Sequence, residues 1–316
     1  MIKSTICERL GIRFPVFQGG MAWIADGKLA AAVSNAGGLG LISAMNAGPD
    51  YLREQIAVAR SLTDKTFGVN IMLQSPFAGQ VADVVAEESV KVVTTGAGMP
   101  TDYMERWKAA GVMIIPVVAS VAMAKKMEKL GADAVIAEGE ESGGHIGELT
   151  TMVLVPQVCD AVGIPVIAAG GIADGRGFAA ALMLGACGIQ MGTRFLVAKE
   201  CGVHQNYKDM VLKAGDISTV ATGRRFAAST CRCLKNVFSR EFKQVEFQPE
   251  TTVETVNELG VGALRKAAVE GDTKAGCFMA GQIAGLVSRE QTADEIIQEV
   301  VEQAETLLLE ACAWVG

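Results

Sequence analysis

The chain has 316 residues, of which 50% are hydrophobic and 20% are charged, and its formal net charge is −7. This composition supplies a large apolar core, excludes a disordered chain and argues against a nucleic-acid-binding surface. No apolar run reaches the roughly 18 residues of a membrane span, and charges interrupt the N-terminus as they would not in a signal peptide, so we predict a cytoplasmic protein.

Cysteine and histidine lack the spacing of a metal site. The eight cysteines are scattered without a CxxC pair, and the two histidines are His145 and His204. Structural zinc sites need closely spaced Cys or His ligands. We therefore predict no metal centre, and we expect the cysteines to be free thiols in a reducing compartment.

Eight short apolar runs rich in Val and Ile alternate with stretches of helical periodicity. Such unbroken runs are typical of strands that are buried on both faces. The alternation predicts parallel strands with right-handed crossovers, and eight units favour a closed (β/α)8 TIM barrel over an open sheet. The predicted strands are residues 15–18, 39–43, 67–71, 91–95, 112–118, 134–137, 165–169 and 188–191, and the helices that follow the first seven are residues 25–35, 50–61, 79–88, 102–110, 121–130, 154–162 and 175–184.

The pattern changes after the eighth predicted strand. Residues 199–275 are more polar, mostly helical in composition and too long for a strand-to-helix loop. We therefore predict an α/β protein whose TIM barrel, residues 1–198 and 276–316, carries a helical insertion, residues 199–275, over its C-terminal face. Residues 252–270 predict one helix of the insertion, and residues 292–314 predict the last outer helix of the barrel.

Glycines follow the seventh and eighth predicted strands, at the barrel end where active sites of this fold lie. Gly170 and Gly171 follow strand seven, and Gly192 and Thr193 follow strand eight. Bare backbone N–H groups bind anions, and these two loops frequently hold phosphate in TIM barrels. Together they predict a phosphate site, although each loop alone is equally consistent with a tight turn.

Backbone-rich loops also follow strands one and three. Gly19, Gly20 and Met21 offer bare backbone beside a polarizable side chain, against which a flat aromatic ring can pack. A tight loop with a core methionine is the simpler interpretation of that segment alone. Asn70 either offers a donor and an acceptor at the barrel mouth or caps a local turn.

The loop after strand six has the most unusual sequence, because His145 lies among glycines in residues 143–147 (GGHIG). A neutral imidazole can hold a carbonyl oxygen and a charged one can donate a proton, so we interpret His145 as functional. Glu138, at the end of strand six, either binds ligand hydroxyl groups or caps the next helix. His204 lies in the insertion and is expected at the surface.

In this order, the motifs resemble the FMN-dependent family that contains nitronate monooxygenase and enoyl-acyl-carrier-protein reductase II. The resemblance covers essentially the whole chain. It is closer to the reductase, because residues 18–21 read QGGM where nitronate monooxygenases typically have QAPM. Each motif is weak alone, but the collinear set is specific. The motifs are residues 17–23 (FQGGMAW), 67–73 (FGVNIML), 92–98 (VVTTGAG), 134–139 (AVIAEG), 143–147 (GGHIG), 164–175 (IPVIAAGGIADG), 190–195 (QMGTRF) and 279–287 (MAGQIAGLV).

The resemblance implies one bound FMN and a monovalent cation, K⁺ or NH₄⁺, near the active site. The phosphate is expected on Gly170, Gly171, Gly192 and Thr193. The remaining cofactor contacts are expected from Gly19, Gly20, Met21, Asn70, Glu138, Gly143, Gly144 and Gln282.

The resemblance also implies reduction of trans-2-enoyl thioesters on acyl carrier protein in bacterial type II fatty-acid synthesis. In this ping-pong reaction NADH or NADPH passes hydride to N5 of FMN, and the enoyl thioester then takes hydride at its β-carbon. His145 would polarise or protonate the developing enolate. No GxGxxG fingerprint follows a first strand, so the nicotinamide does not require a Rossmann domain.

Three other functions fit parts of the pattern. A nitronate monooxygenase, which oxidises alkyl nitronates with O2, would keep the fold and FMN and use His145 as a base or to orient the substrate. A flavin-free barrel isomerase or lyase would use only the phosphate site. A non-catalytic FMN-binding partner protein would hold the cofactor without turnover.

Basic residues concentrate in residues 223–243, against the overall negative charge. The segment is a candidate docking surface for an acidic acyl carrier protein or a cofactor phosphate, and an ordinary solvated helix face is the simpler interpretation. We expect no nucleic acid and no membrane as partners, and a C2 homodimer is the base-rate expectation. The basic residues are Arg224, Arg225, Arg232, Lys235, Arg240 and Lys243.

Overall fold

A computed structural model describes residues 2–44, 47–226 and 230–314. Its main sheet has eight parallel strands in the order β1-β9-β8-β6-β5-β4-β3-β2, and a parallel bridge between Phe17 and Leu39 joins the two ends. The predicted (β/α)8 TIM barrel is therefore confirmed. The strands are β1 (Val16–Gln18), β2 (Gly40–Ser43), β3 (Phe67–Met72), β4 (Val92–Gly96), β5 (Met113–Val118), β6 (Val135–Glu138), β7 (Gly144–His145), β8 (Val166–Ala169), β9 (Gly188–Met191), β10 (Thr219–Thr222) and β11 (Cys231–Leu234).

The outer helices begin and end where local chemistry favours it. Side chains of Asp26, Ser120 and Asp174 accept backbone N–H groups at three helix starts, and Gly131, at φ 85°, ends a helix in the left-handed conformation. The helices are α1 (Thr5–Leu10), α2 (Gly27–Asn35), α3 (Pro49–Leu62), α4 (Ala78–Glu87), α5 (Met104–Ala109), α6 (Val121–Leu130), α7 (Thr151–Ala161), α8 (Gly175–Met183), α9 (Thr193–Leu196), α10 (Gln205–Leu212), α11 (Val237–Glu246), α12 (Val253–Gly260), α13 (Ala263–Arg265) and α14 (Ala293–Glu310), with a π-helical turn at Lys266–Glu270 and 3-10 turns at Gln282–Leu286 and Ala311–Trp314.

The apolar core forms two layers, one on each side of the barrel sheet. One layer fills the barrel, and the other lies between the strands and the helices. This arrangement explains the unbroken apolar strands, because both faces of each strand are buried. The barrel layer consists of Ile6, Leu10, Phe17, Leu39, Leu41, Val92, Ile115, Ala134, Ile136, Ile167 and Ala169.

Helix α14 completes the outer ring by packing against α8 and α2. The packing is close, because a Cβ on Gly175 would lie 2.4 Å from the backbone nitrogen of Ala304. Thr292 and Glu295 form a reciprocal capping box at the start of α14. The segment predicted as the last outer helix therefore has that position.

The insertion differs from the prediction of a mostly helical segment. Strands β10 and β11 form an antiparallel hairpin, and β11 also pairs with β7 of the barrel loop. The β-branched residues of β10 were the sequence signal for a strand. The helix predicted over residues 252–270 is also divided, because Gly262 adopts φ 73° between α12 and α13.

Within the described residues, no helix is long and apolar enough to cross a membrane. The seven cysteines whose side chains are described are free thiols, as predicted. The predictions for the Cys312 side chain and for residues 227–229 of the basic segment lie outside the described part of the chain.

Candidate active site

A cavity of about 430 Å³ opens at the carboxyl ends of the barrel strands. The loops after six barrel strands line it, together with the ends of β2 and β3 and the returning segment at residues 279–283. The structure thus brings together twelve of the thirteen predicted site residues. These are Gly19, Gly20, Met21, Asn70, Glu138, Gly143, Gly144, His145, Gly170, Gly171, Gly192 and Thr193.

Gln282 is the predicted site residue that the structure places elsewhere. Its side chain is exposed, while its neighbours Gly281 and Ile283 line the cavity. The 3-10 turn that starts at Gln282 directs successive side chains to different faces. The returning segment therefore contributes its backbone and Ile283 to the wall, and the cofactor contact expected from Gln282 stays a prediction.

The loops after β8 and β9 form a wall of bare backbone. Gly170 and Gly171 adopt φ 85° and 73°, which L side chains rarely adopt. A Cβ on Gly192 would lie 3.7 Å from the sulfur of Met21 and would occupy space at the cavity wall. The hydroxyl of Thr193 accepts the Gly281 N–H at 2.9 Å and ties this wall to the returning segment.

One carboxylate, Glu141, also lines this side of the cavity. It accepts hydrogen bonds from the backbone N–H of Thr151 at 2.9 Å and from the Thr151 hydroxyl at 2.9 Å. Thr151 is the first residue of α7, where backbone N–H groups and the helix dipole stabilise negative charge. The charge of Glu141 is thus compensated within the protein. For this reason the carboxylate does not prevent an anion from binding at the glycine loops on this side of the cavity.

The loop after β1 packs directly against the Asn70 side chain of β3. The amide of Asn70 donates to the Gly20 carbonyl oxygen at 3.3 Å, and the Thr94 hydroxyl donates to the Asn70 carbonyl oxygen at 2.9 Å. A Cβ on Gly20 would lie 2.1 Å from the Asn70 Cβ, so glycine is required there. Buried Gln18 braces the loop by accepting the Leu41 N–H at 3.1 Å.

Glu138 places a carboxyl group in the cavity wall at the end of β6. The Ser142 hydroxyl donates to it at 3.1 Å. Burial raises the pKa of Glu138 to about 7, and the Ser142 hydrogen bond opposes that shift. Glu138 does not cap α7, because Thr150 occupies the N-cap position and the N–H of Thr151 binds Glu141. Of the two interpretations of Glu138, the helix cap is therefore wrong.

His145 lies at the cavity mouth, where its side chain reaches solvent. The insertion holds it there, since β7 pairs with β11 in the register His145 to Cys231 and the N–H of Ile146 donates to the Thr230 carbonyl at 3.2 Å. Partial desolvation lowers the pKa of His145 below 6.5. This shift favours the neutral imidazole, which has one N–H donor.

The loop after β6 contacts the returning segment backbone to backbone. A Cβ on Gly143 would lie 2.6 Å from the carbonyl carbon of Ala280, and the Gln282 N–H donates to the Glu141 carbonyl at 2.9 Å. From the insertion, the buried Tyr207 hydroxyl donates to the Met279 carbonyl at 2.8 Å. These contacts fix the rim of the cavity near His145.

Several residues that brace the site were not predicted from the sequence. Gln18, Thr94 and Tyr207 act through hydrogen bonds to segments that are distant along the chain. Glu141 and Ser142 bond within the loop after β6 and to the start of α7. The polar character of Gln18 and Thr94 within apolar strands was the available signal, but their partners become neighbours only in the closed barrel. They are Gln18, Thr94, Glu141, Ser142, Thr151 and Tyr207.

The basic segment is divided between internal contacts and the surface. Arg232 is buried and donates to the Glu140 carbonyl at 3.0 Å, and Arg224 forms an ion pair with Glu140 at 3.2 Å. The Arg225 guanidinium donates to the Glu246 and Gln248 carbonyl oxygens. Five basic residues of the segment are exposed, namely Arg224, Arg225, Lys235, Arg240 and Lys243.

Comparisons with known proteins return one family over nearly the whole chain. The sequence profile of the family "Nitronate monooxygenase" matches residues 3–87 and 75–303. A curated relative from Rhodococcus jostii (strain RHA1), (3aS,4S,5R,7aS)-5-hydroxy-7a-methyl-1-oxo-octahydro-1H-indene-4-carboxyl-CoA dehydrogenase, is 35% identical, with 96% of each chain covered. A probable nitronate monooxygenase from Staphylococcus aureus (strain N315) is 32% identical, with 97% of this chain and 98% of the relative covered.

Solved structures give the same result for the fold. The structure of FabK from Thermotoga maritima is 47% identical, covers 100% of both chains and has a TM-score of 0.96. A nitroalkane oxidase from Streptomyces ansochromogenes is 28% identical, covers 98% of this chain and 100% of its own, and has a TM-score of 0.86.

Proposed function

Because the chain belongs to the nitronate monooxygenase family, we propose that it is an FMN-dependent enoyl-acyl-carrier-protein reductase that uses NADH or NADPH. The family and FabK are FMN-dependent flavoproteins, and the resemblance to enoyl-acyl-carrier-protein reductase II is confirmed. The flavin oxidoreductase class follows from the comparisons. The thioester substrate, the nicotinamide and the carrier protein are our proposal.

The full-length similarity to FabK, an enoyl-acyl-carrier-protein reductase II, carries the proposal. It spans the entire chain at 47% identity, well above the 28% identity to the nitroalkane oxidase. The Rhodococcus relative supports a thioester substrate independently, because its name describes a carboxyl-CoA compound. A thioester of acyl carrier protein presents the same reacting group.

The cavity fits FMN by its shape and its donors. The glycine wall at Gly170, Gly171 and Gly192 offers backbone to a phosphate, and Gly20 with Asn70 offers bare backbone and polar groups to a ring edge. When bound, FMN supplies the hydride chemistry. The protein positions the reactants and excludes water.

We assign His145 to the thioester carbonyl. Its neutral imidazole can donate a hydrogen bond to the oxygen on which negative charge develops, and the pairing of β7 with β11 fixes its position. Glu138, protonated below pH 7, offers a hydroxyl donor to the cofactor from the opposite end of the same loop. Both groups act by holding a proton at a defined place in the cavity.

The other parts of the proposal concern partners and boundaries. We propose that residues 199–275 act as a lid on a barrel of residues 1–198 and 276–316, and that exposed Lys235, Arg240 and Lys243 attract the acidic carrier protein. Cation binding near the site and a homodimer also remain proposals.

Nitronate oxidation is the second candidate. The family name, the Staphylococcus aureus relative and the Streptomyces nitroalkane oxidase favour it. In that reaction His145 would act as a base or orient the nitronate, and O2 would be the electron acceptor. Turnover of alkyl nitronates faster than of enoyl thioesters, measured by oxygen uptake, would support this alternative.

An anaerobic absorbance experiment on the FMN-loaded protein tests the proposal directly. We expect NADH or NADPH to bleach the yellow flavin band and crotonyl thioester to restore it. Bleaching without recovery would indicate a flavin reductase with another acceptor. No bleaching with either nicotinamide would contradict the reductase and favour nitronate oxidation or a binding role.

A further inference from the structure

Three adjacent strands place Met72, Gly96 and Val117 side by side at the top of the barrel. Met72 pairs with Gly96 in the register of β3 and β4, and the pairing of Thr95 with Pro116 puts Gly96 next to Val117. All three residues line the cavity. They form one row at the same height.

This row faces the interior of the barrel. Val92 and Ile115 belong to the inner apolar layer, and the side chains of Thr94 and Asn70 meet by a hydrogen bond one level higher. Side chains alternate between the two faces of a strand. Met72, Gly96 and Val117 follow these residues by two positions and therefore point inward as well.

Gly96 leaves a gap in this row. Among the described residues, no heavy atom lies within 4 Å of the position that a Cβ on Gly96 would occupy. Its φ is outside the left-handed region, so the backbone does not require glycine there. The next two residues, Ala97 and Gly98, carry at most a methyl group, and the gap continues between Met72 and Val117 as a slot.

The walls of the slot are apolar. Met72, Val117, Ala119 and Met123 line this side of the cavity and are partly exposed to it. Strand β4 lies directly across the barrel from β9, whose loop belongs to the glycine wall. The cavity is thus divided between a backbone-rich side suited to a phosphate and an apolar side suited to a hydrocarbon.

We propose that the slot at Gly96 receives the hydrocarbon chain of the enoyl thioester, so that Gly96 determines which chain lengths are reduced. This inference rests on the proposed reductase function. The thioester carbonyl lies towards His145, and the hydrocarbon chain extends from the carbonyl into the slot between Met72 and Val117. A side chain at residue 96 shortens the slot without touching the glycine wall.

The test is Gly96→Leu in the FMN-loaded protein, with Gly260→Leu as the matched control. Gly260, in α12, likewise has ordinary φ and open space at its Cβ position, and it lies outside the cavity lining. We expect Gly96→Leu to lower kcat/KM for trans-2-decenoyl thioester about 100-fold, because each excluded methylene is worth roughly 10-fold or more and the new side chain excludes about two of them. The kcat/KM for the short crotonyl thioester should fall less than about threefold. FMN affinity and bleaching by nicotinamide should stay unchanged.

A graded variant separates exclusion from misfolding. Gly96→Ala adds one methyl group and should give an intermediate preference for short chains, with an unchanged melting temperature. Equal losses for both thioesters, or a loss of FMN affinity or of nicotinamide-dependent bleaching, would assign the slot to another ligand and overturn this inference alone. A native protein that does not reduce crotonyl thioester would overturn the proposed function as well.

Discussion

At the scale of single residues, the cavity holds two titratable groups that burial shifts towards neutrality. The pKa of Glu138 is raised to about 7, and the pKa of His145 is lowered below 6.5. Both shifts follow from the cost of a charge with few compensating partners. Both shifts favour the forms of Glu138 and His145 that can donate a hydrogen bond without carrying a charge, which suits a neutral enoyl thioester.

Glu138→Gln tests the carboxyl pKa through protein stability. The native state keeps a proton that the unfolded state releases at its ordinary pKa of 4.5, so the free energy of unfolding should fall as pH rises from 4.5 to 7. The expected loss is about 3 kcal/mol, because one pKa unit corresponds to roughly 1.4 kcal/mol. Urea unfolding without added flavin, at pH 5 and pH 8, should show this loss in the native protein and not in the variant. An identical pH dependence in both proteins would contradict the raised pKa.

His145→Ala should lower kcat for crotonyl thioester by about 100-fold or more, because a positioned proton donor contributes about that much. FMN affinity should be unchanged. His204→Ala is the control, since His204 lies outside the cavity lining and its ring nitrogen accepts the Asn206 N–H at the start of α10. Equal kcat in the native protein and His145→Ala would remove the assigned role.

At the scale of elements, residues 199–275 pair with the loop that carries His145. Strand β11 pairs with β7, and α10 anchors Met279 through Tyr207. The loop that carries His145 is therefore held by segments that are distant along the chain, and the Arg232 bond to the Glu140 carbonyl spans 92 residues. The insertion and the active-site loop form one continuous three-stranded sheet.

Arg232→Met tests this connection. It keeps much of the buried apolar stem and removes the guanidinium that donates to the Glu140 carbonyl and contacts Thr219. We expect kcat to fall about tenfold through displacement of His145, corresponding to roughly 1.4 kcal/mol, while FMN affinity changes little. Arg9→Met, at an exposed position of α1 where the guanidinium also donates to a backbone carbonyl oxygen, that of Asp133, is the control. Parallel losses of kcat and FMN affinity would instead indicate general unfolding.

At the scale of the whole molecule, FMN should stabilise the fold when its phosphate binds to the glycine wall. FMN at 100 times its Kd should add about 2.7 kcal/mol to the free energy of unfolding. Riboflavin, which lacks the phosphate, should raise the melting temperature much less. Gly192→Ala should weaken the FMN effect and leave the protein without ligand unchanged, because its Cβ meets only Met21 at 3.7 Å. Gly202→Ala, outside the cavity, is the control, and equal stabilisation by both flavins would contradict the phosphate site.

The sequence by itself determined the barrel, and it predicted a candidate site at the carboxyl ends of the strands. All eight strands of the barrel were predicted within one residue at each end and the seven helices between them within three residues, because strands buried on both faces require unbroken apolar runs and glycine marks helix ends. Glycines at strand ends also identified the cavity, since few other residues tolerate the φ values of Gly170 and Gly171.

Only the tertiary structure decided the contacts between distant segments. The pairing of β7 with β11, the exposure of Gln282 and the internal bonds of Arg232 depend on which segments meet when the barrel closes. The same holds for the gap at Gly96, which exists because Met72 and Val117 come to lie on either side of it. Local periodicity reports the burial of each strand and helix, but the neighbours of a side chain are set by the register and closure of the whole sheet.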